Sequence, residues 1–292
     1  MKSILITGVS GHLGLAYLKA SIESDFTHIY GTVRSEASFH KMKKLLDNID
    51  VKKKVVEVVR LDLSSDNIHD HNIFSKEINV VIHNAASLGI ATNSQKHIGI
   101  QDGNTFSDNG FYTANIEGTS RLYEALCVSQ INLKKIVFVS SGDIYGSAGL
   151  VYENQLPQPS SSYGLSKYIG EILTNVFCAK QKIPFIVLRV GSIYGPGQIE
   201  QKGFKGFISD AIEHKTIKIF GNGLQRRNFP YVMDIARGTF VFLRADIEDI
   251  LLNFSSIEIF NVNEMADKVI KYFFDKYQIN VEKKYIDKDV KY

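Results

Sequence analysis

The stretch Thr7-Gly8-Val9-Ser10-Gly11-His12-Leu13-Gly14 follows the apolar run Ser3–Thr7 and has the spacing G-x-x-G-x-x-G. The turn favours a residue without Cβ, the second glycine lets the backbone approach a pyrophosphate, and the third lets a helix pack on the strand. A plain tight turn is the alternative, but the position at the first strand–helix junction favours phosphate binding at the helix start. The stretch predicts a dinucleotide site whose candidate contacts are Gly8, Ser10, Gly11, His12, Leu13 and Gly14.

Short apolar runs alternate with helical patterns over the first 190 residues. The runs are Ser3–Thr7, His28–Val33, Lys54–Leu61, Val80–His83, Lys135–Ser140 and Phe185–Val190. Runs that are apolar on both faces are typical of parallel strands buried between two helical layers. The sequence therefore predicts the α/β class, with a Rossmann-type doubly wound parallel sheet over residues 1–190. A small C-terminal α+β substrate lobe is expected over residues 191–292, partly interwoven with the first domain.

Three finer predictions concern helices, strands and loops. The helix predicted at Ser162–Lys182 has an apolar stripe expected to face the core, formed by Leu165, Ile169, Ile172, Leu173 and Val176. Short strands are predicted in the second lobe at Ile217–Phe220, Phe229–Val232 and Glu258–Val262. The glycine- and asparagine-rich stretch Leu88–Gly110 predicts a long loop, either a lid over the substrate site or a surface loop.

Composition excludes several classes of function. The 292 residues include 34 Lys+Arg and 31 Asp+Glu, and the net charge of +3 gives no electrostatic signature of nucleic-acid binding. No apolar run approaches the ~18 residues of a membrane span. Two cysteines, Cys127 and Cys178, form neither a disulfide framework nor a zinc site, and the scattered histidines indicate no metal. We expect a soluble cytoplasmic protein without nucleic-acid, membrane or metal partners.

The end of the second predicted strand distinguishes between the two common dinucleotides. An acid there would bond the ribose 2′-hydroxyl of NAD, but this chain has Gly31-Thr32-Val33-Arg34-Ser35. Arg34 can pair with a 2′-phosphate and Ser35 can add a hydroxyl, although a solvated surface arginine is the alternative. The sequence favours NADP over NAD.

Tyr163 and Lys167 stand four residues apart in a predicted helix, on one face and opposite the apolar stripe. A nearby ammonium favours phenolate, so Lys167 should lower the pKa of Tyr163 and make it a usable general acid/base. Because Y-x-x-x-K is frequent by chance, the pair alone does not establish catalysis. Ser140-Ser141-Gly142-Asp143 places hydroxyls and an acid at the carboxyl end of the fifth strand, where open α/β sheets bind ligands, although serines there can also cap the next element.

Further motifs occur in a fixed order, and together they resemble the extended short-chain dehydrogenase/reductases. They are T-G-x-x-G-x-x-G, Arg60-Leu61-Asp62-Leu63, His83-Asn84-Ala85-Ala86, Asn115-x-x-Gly118-Thr119, S-S-x-x-x-Tyr145-Gly146, Y-x-x-x-K, and Leu188-Arg189 through Tyr194-Gly195-Pro196-Gly197. More narrowly, the chain is similar to the NAD(P)-dependent epimerase/dehydratase group that acts on nucleotide sugars. The resemblance extends over about residues 3–240.

The resemblance implies catalytic roles for four residues. Tyr163 would be the acid/base, Lys167 would hold the cofactor ribose and tune Tyr163, and Ser141 would orient the reacting oxygen. Asp143 stands where dehydratases and some decarboxylases of the family have a glutamate that handles a second proton. A structural cap is the alternative for Asp143, and an acid also occurs there in some keto-sugar reductases.

It also implies binding residues for cofactor and substrate. Asp62, followed by Leu63, would contact the adenine, and Ala85 and Ala86 would pass beneath the cofactor. Arg34 resembles the corresponding arginine of NADP-using members. The substrate contacts would be Ser87, Ser141, Ser192 and Arg227, of which Arg227 resembles the arginine that binds the substrate diphosphate in nucleotide-sugar enzymes. Ser192 replaces an asparagine that many relatives have there, and Asn228 replaces the acid usual after that arginine.

The implied function is an NAD(P)-dependent epimerase/dehydratase-type oxidoreductase that transfers hydride at a sugar carbon, C4, with Tyr163 as acid/base. Alternatives are an NADPH-dependent reductase of a 4-keto nucleotide sugar or of a small carbonyl compound, and a non-catalytic nucleotide-binding scaffold. By resemblance we also expect a homodimer, formed by the helices at about residues 109–128 and 162–182.

Overall fold

The computed structural model describes residues 2–51, 54–89, 110–129, 131–146, 149–198, 203–245 and 247–287. The chain is divided into two compact units. The first comprises Met1–Val190 and Ala236–Phe254, and the second comprises Gly191–Ile235 and Ser255–Tyr292. The return of residues 236–254 to the first unit adds a strand to it.

The first unit is built on one parallel sheet of seven strands, in the order β3-β2-β1-β4-β5-β6-β9. The strands are β1 (Ser3–Thr7), β2 (His28–Val33), β3 (Val55–Arg60), β4 (Val80–His83), β5 (Lys135–Ser141), β6 (Phe185–Val190) and β9 (Ile250–Phe254). All the residues of β1, β4 and β6 are buried, as expected for strands covered on both faces. The predicted Rossmann-type doubly wound sheet is confirmed.

Helices follow most of these strands. They are α1 (His12–Glu23), α2 (Glu36–Leu46), α3 (Gly118–Val128), α4 (Ser162–Gln181) and α6 (Val232–Arg244). A π-helical turn, Phe111–Glu117, leads into α3, and a short 3-10 helix, Gly142–Tyr145, follows β5. The strand order changes direction after β1, so the carboxyl ends of β1 and β4 form the edge where this fold type binds ligands.

Only part of the apolar stripe of α4 faces the core as the sequence predicted: Leu173 packs against the core of the first unit, and Ile169 is half-buried. Leu165, Ile172 and Val176 are 38%, 47% and 62% exposed, whereas Lys167 and Glu171 on the opposite face are only 4% and 5% exposed. For Leu165, Ile172 and Val176 the prediction was wrong, because it assumed that the apolar face must be the buried one. Here the polar face is buried because its side chains find partners inside the unit.

Within its described residues, the second unit contains two small sheets and two helices. β7 (Thr216–Phe220) pairs with β11 (Glu282–Ile286) in parallel, and β8 (Arg226–Asn228) pairs with β10 (Ile259–Asn261) antiparallel. Its core includes Ile217, Ile219, Val269 and Phe273, and its helices are α5 (Phe204–His214) and α7 (Val262–Tyr277).

The prediction of a strand at Phe229–Val232 is wrong. In the structure β8 ends at Asn228 and α6 begins at Val232. Pro230, which follows two residues after Asn228, has no amide hydrogen to give to a ladder, so the sheet pairing stops before it. The predicted loop at Leu88–Gly110 falls largely on residues 90–109, which lie outside the described residues.

Within the described ranges, no helix combines the length and apolarity that crossing a bilayer would require. The same residues contain no cluster of three or more histidine, cysteine, aspartate or glutamate side chains arranged to hold a metal ion.

Candidate active site

The glycine-rich turn between β1 and α1 is tightly packed. Gly8 has φ of +73°, and a Cβ atom on it would lie 2.9 Å from the Cα of Ala85. A Cβ on Gly14 would lie 2.0 Å from the carbonyl oxygen of Gly8. Glycine is therefore required at both positions, because the turn needs a left-handed residue and the helix lies directly against it.

The start of α1 fits a cofactor phosphate. Its N-cap residue, Gly11, has no side chain to cap the helix, and the first turn has no acidic residue. Among the described residues outside the turn's immediate neighbours, the Gly8 carbonyl oxygen alone would lie within 4 Å of a Cβ on Gly11, so these residues leave the space in front of the turn open. Backbone donors of Leu13 and Gly14 at such a helix start, together with the positive dipole end, match a diphosphate.

The two residues predicted to recognise the adenosine ribose differ in their surroundings. Arg34 is exposed, and within the described part of the chain no hydrogen bond or ion pair holds its guanidinium. The Ser35 hydroxyl caps α2 by accepting a bond from the backbone N–H of Ser38 at 3.2 Å. The neighbouring acid, Glu36, is paired with Arg60 at 3.0 Å. Arg34 is thus available for an anion, while the serine already has a structural role.

Asp62 and Leu63 follow β3 at the same sheet edge. Asp62 accepts hydrogen bonds from the backbone N–H and the hydroxyl of Ser64, at 3.0 and 2.5 Å, and both bonds use the same carboxylate oxygen. Leu63 is buried, and its Cβ would lie 3.2 Å from a Cβ placed on Gly118. Asp62 can still offer its second oxygen to a ligand, whereas Leu63 packs in the core.

The segment after β4 is held against the glycine turn by one buried hydroxyl. Thr7 Oγ1 accepts from the backbone N–H groups of Asn84 and Ala85 at 3.1 and 2.9 Å, and therefore donates to His83 Nδ1 at 2.9 Å. Thr119 Oγ1 donates to a backbone carbonyl, so His83 Nε2 carries the hydrogen that it gives to Thr119 at 2.9 Å. Burial and the charge of Lys167 lower the pKa of His83 to about 3.

Ser141, Asp143 and Tyr163 are brought together at the carboxyl end of β5. The Ser141 hydroxyl lies close enough to the Tyr163 phenol to influence its pKa, and Ser141 Oγ accepts the backbone N–H of Asp143 at 3.2 Å. Partial burial raises the pKa of the Asp143 carboxyl. The Phe111 ring lies beside Tyr163, with the ring centroids 6.1 Å apart. This cluster offers a phenol, an alcohol and a carboxyl group in one place.

The electrostatics of Tyr163 differ from the prediction made from the sequence. Burial is the largest influence and raises the pKa of Tyr163 above its usual value, and the Asp143 carboxylate raises it further. The Ser141 hydrogen bond acts in the opposite direction but is the weaker effect. Without ligand, Tyr163 is therefore a neutral phenol, because desolvation and a negative neighbour both oppose the phenolate.

Lys167 is buried one turn further along α4. Its Nζ lies 4.5 Å from the centroid of the Phe138 ring, a cation–π contact. Burial lowers the pKa of Lys167 to about 8, while the charge of Glu171 acts to raise it. The lysine is thus charged near neutral pH but titrates within the range that enzymes use.

Asn115 belongs to this site, although the sequence gave no role to it. Its Nδ2 donates to the Ser87 carbonyl and to Ser166 Oγ, both at 3.0 Å, and its Oδ1 accepts the Ser87 N–H at 2.6 Å. Ser166 in turn donates to the carbonyl of Tyr163 at 2.8 Å. The π-helical turn that contains Asn115 has no signature in the hydrophobic pattern, so only the motif Asn115-x-x-Gly118-Thr119 pointed to this position.

The remaining predicted substrate contacts are distributed over both units. Ser87 follows β4 in the first unit, and its backbone is held by Asn115. Ser192 and Arg227 belong to the second unit, where Ser192 is exposed and Arg227 pairs with Phe260 between β8 and β10.

Comparison with known proteins supports a single family. The model of the "NAD dependent epimerase/dehydratase family" matches residues 4–253. The chain is 30% identical over 281 residues to a protein of Methanocaldococcus jannaschii named as a UDP-glucose 4-epimerase, covering 92% of this chain and 81% of that protein. It is 29% identical over 290 residues to the dTDP-D-glucose 4,6-dehydratase of Dictyostelium discoideum, covering 92% of this chain and 62% of the relative.

A solved structure agrees with these sequence matches. The UDP-glucuronic acid 4-epimerase of Bacillus cereus, in complex with UDP-glucuronic acid and NAD, superposes with a TM-score of 0.75 at 26% identity. The match covers 98% of this chain and 86% of the epimerase. The similarity therefore extends over both units of the chain.

Proposed function

The chain belongs to the NAD dependent epimerase/dehydratase family, and on that premise we propose that it is a nucleotide-sugar epimerase or dehydratase that reacts at the sugar C4. The observation that best supports this proposal is the clustering of Ser141, Asp143 and Tyr163 at the carboxyl end of β5, with buried Lys167 one turn from Tyr163 on α4. A non-catalytic scaffold would have no need for a buried ammonium one helical turn from a buried phenol at this edge. Both the UDP-glucuronic acid epimerase and the dehydratase relative act on nucleotide sugars by name.

In the proposed mechanism, Tyr163 moves the proton at the sugar hydroxyl. The phenol donates a proton to a keto oxygen or, as phenolate, accepts one from the alcohol. Because burial and Asp143 both oppose the phenolate, the Lys167 ammonium is needed to stabilise that form. Ser141 Oγ would bond the reacting oxygen, a type of stabilisation commonly worth ~3–4 kcal/mol. The cofactor, when bound, supplies the hydride acceptor and donor.

Asp143 would determine whether a second proton is moved. Its raised pKa makes it a better general acid than a solvated aspartate, which suits elimination of water from the sugar. A C4 epimerase needs no such second acid. The proximity of Asp143 to Tyr163 is therefore the observation that favours the dehydratase, and it also fits reduction of a 4-keto sugar.

We propose that the cofactor is held by the turn Gly8–Gly14, by Asp62 and by the segment Ala85–Ala86. Arg34 supports a preference for NADP because its guanidinium is exposed and unpaired within the described residues. Solved relatives are complexed with NAD. The 2′-phosphate preference is therefore a property proposed for this chain on the basis of Arg34 alone.

The exposed apolar stripe on α4 supports a homodimer. Leu165, Ile172 and Val176 lie together on one face at i, i+7 and i+11, and all three are exposed. Apolar stripes of this kind on a soluble protein mark protein–protein contacts. Pairing α4 with its copy in a second chain would bury these side chains.

The proposed function is tested by binding measurements that need no known product. The freshly purified protein is denatured, and any released nucleotide is identified by absorbance and mass. The protein is then titrated with UDP, dTDP and phosphate by calorimetry. We expect NADP or NAD on release and micromolar binding of one nucleoside diphosphate, weakened by Arg227→Ala. A protein that binds a dinucleotide but neither nucleoside diphosphate would support the small-carbonyl reductase instead.

A further inference from the structure

Glu171 and Arg189 form a buried ion pair behind the catalytic cluster. Arg189 is on β6, and Glu171 is on the buried face of α4. Arg189 Nε donates to Glu171 Oε1 at 3.1 Å, and its Nη2 donates to Oε2 at 2.8 Å. Ser140 Oγ donates to the same Oε1 at 2.5 Å. Both carboxylate oxygens are thus engaged, in the two-pronged geometry that guanidinium allows.

The remaining arginine donors hold the segment that follows β5. Arg189 Nη1 donates to the Tyr145 hydroxyl at 2.6 Å and to the Glu153 carbonyl at 3.1 Å. The Tyr145 hydroxyl then donates to Asn253 Oδ1, on β9, at 2.8 Å. Arg189 therefore has partners on α4 and on the segment after β5, and through Tyr145 it is linked to β9, so its position is strongly constrained.

Lys167 lies four residues before Glu171, on the same buried face of α4. Side chains at this spacing are neighbours on a helix and readily form an ion pair. Within the described residues, however, no hydrogen bond or ion pair joins them, because the Glu171 oxygens are held by Arg189 and Ser140. The Lys167 ammonium instead lies over the Phe138 ring.

We propose that Arg189 is a positioning residue that holds the Glu171 carboxylate away from Lys167, so that the lysine ammonium stays available to the cofactor and to Tyr163. This inference rests on the proposed function, because it requires that Lys167 contact the cofactor. Without Arg189, the unpaired carboxylate would be buried beside a lysine one turn away. Rotation of Glu171 toward Lys167 would then be the least unfavourable arrangement, since an unpaired buried charge is costly.

The other titratable groups around the lysine do not compete for this role. His83 on β4 is neutral because its pKa is lowered to about 3. Asp143, in the turn after β5, raises the pKa of Tyr163 through its negative charge. Among the described residues, the charged and titratable groups of the cluster on α4, β4, β6 and the turn after β5 are Tyr163, Lys167, Glu171, His83, Arg189, Asp143 and Tyr145.

The test measures the dissociation constant of NADH and NADPH by fluorescence between pH 6 and 10, without substrate. Three variants are compared with the wild type: Arg189→Met, Glu171→Gln, and the two combined. Lys167→Met shows whether the lysine contributes to binding at all. Tyr145→Phe is the matched control, because it removes one buried hydrogen bond of Arg189 but leaves the Glu171–Arg189 pair intact.

We expect Arg189→Met to weaken binding at pH 7 about tenfold. We also expect the alkaline limb of its profile, which is the loss of affinity as Lys167 loses its proton, to move to higher pH, since a Lys–Glu pair raises the lysine pKa. Glu171→Gln should bind as the wild type at pH 7, with its alkaline limb moved downward. The double variant should recover wild-type affinity at pH 7, because it has no carboxylate to capture the lysine. Tyr145→Phe should leave the profile unchanged.

Two results would overturn the proposal. One is an Arg189→Met protein whose NADH affinity and alkaline limb equal those of the wild type. The other is a double variant that stays as weak as Arg189→Met, which would indicate a purely structural defect. If Arg189→Met does not fold, Arg189→Lys is measured in its place, with a smaller expected loss of affinity, about threefold. An Arg189→Lys protein with the wild-type binding profile would also reject the positioning role of Arg189. If Lys167→Met binds NADH and NADPH as tightly as the wild type, the proposed cofactor role of Lys167 is rejected instead.

Discussion

The side-chain amide of Asn115 is hydrogen-bonded to the hydroxyl of Ser166 at 3.0 Å, in the buried space between the π-helical turn and α4. The Ser166 hydroxyl in turn donates a hydrogen bond to the carbonyl of Tyr163 at 2.8 Å. The first turn of α4 is therefore tied to the segment after β4, which Asn115 also holds through Ser87. This arrangement places the proposed acid/base on a rigid support.

Removing that support should reduce turnover more than it reduces cofactor binding. Asn115→Ala leaves the N–H and carbonyl of Ser87 without their amide partner, at about 1–3 kcal/mol for such a loss. We expect a lower melting temperature and a kcat reduced by about tenfold or more, because small displacements of catalytic groups are costly. Wild-type kcat in this variant would show that the connection does not position Tyr163.

Tyr163→Phe should abolish nearly all turnover while leaving NAD(P)H binding within a few-fold of the wild type. The phenylalanine ring keeps the contact with Phe111 but has no proton to transfer. Activity is measured on the nucleotide sugar that the wild type converts, and binding is measured by fluorescence. Substantial residual turnover would contradict the assignment of the acid/base.

Arg34→Ala should weaken NADPH binding much more than NADH binding. Loss of a guanidinium–phosphate pair is expected to cost about 1.5–3 kcal/mol, roughly a tenfold or greater change in the dissociation constant. Arg60→Ala is the matched control, because this neighbouring arginine is paired with Glu36. Equal losses for both nucleotides in Arg34→Ala would reject the 2′-phosphate interpretation.

The stability of the first unit should depend on pH through His83. Its pKa is lowered from 6.5 to about 3 in the folded protein, so between these pH values the unfolded chain binds a proton that the folded chain does not. The free energy of unfolding contributed by this residue is therefore fully present above pH 6.5 and falls as the pH drops, by about 1.4 kcal/mol per pH unit.

Denaturant unfolding of the wild type and of His83→Gln between pH 7 and pH 4.5 measures that contribution. Glutamine retains a donor and an acceptor but does not titrate, so the difference in stability between the two proteins should shrink as the pH falls. A constant difference across this range would contradict the buried neutral histidine.

The exposed stripe on α4 predicts an effect on assembly. The combined substitution Ile172→Glu and Val176→Glu places two charges on that face, and sedimentation should show a monomer where the wild type is a dimer. Val241→Glu, at an equally exposed valine of α6, is the control and should leave the dimer intact. A wild type that sediments as a monomer would contradict the proposed homodimer.

The features that could be predicted from sequence are those set by local chemistry. The positions of Gly8 and Gly14 in the turn require glycine, and strands β1, β4 and β6 are buried on both faces of the sheet, which matches their apolar sequences. Strands of this kind, with the glycine turn, were sufficient to predict the fold, whereas β3, which is only partly buried, has a less apolar sequence. The prediction at Phe229–Val232 failed because an apolar run was given more weight than Pro230.

Other features depend on tertiary partners and could not be predicted from one sequence. The buried face of α4 is polar because Glu171 meets Arg189, which is eighteen residues further along the chain. Likewise, the pKa of Tyr163 depends on burial and on Asp143, and neither is visible in the spacing of Tyr163 and Lys167. Periodicity reports which face of a helix is apolar, but a partner chain can cover that face as well as a core can.

The most direct test of the proposed function is proton NMR of the purified protein with NADP or NAD and each of UDP-glucose, UDP-glucuronic acid and dTDP-glucose. The proposal predicts that the wild type converts at least one of them into its C4 epimer or a dehydrated keto sugar, and that Tyr163→Phe converts none. No change in any nucleotide sugar, together with NADPH-dependent reduction of small aldehydes or ketones, would contradict it.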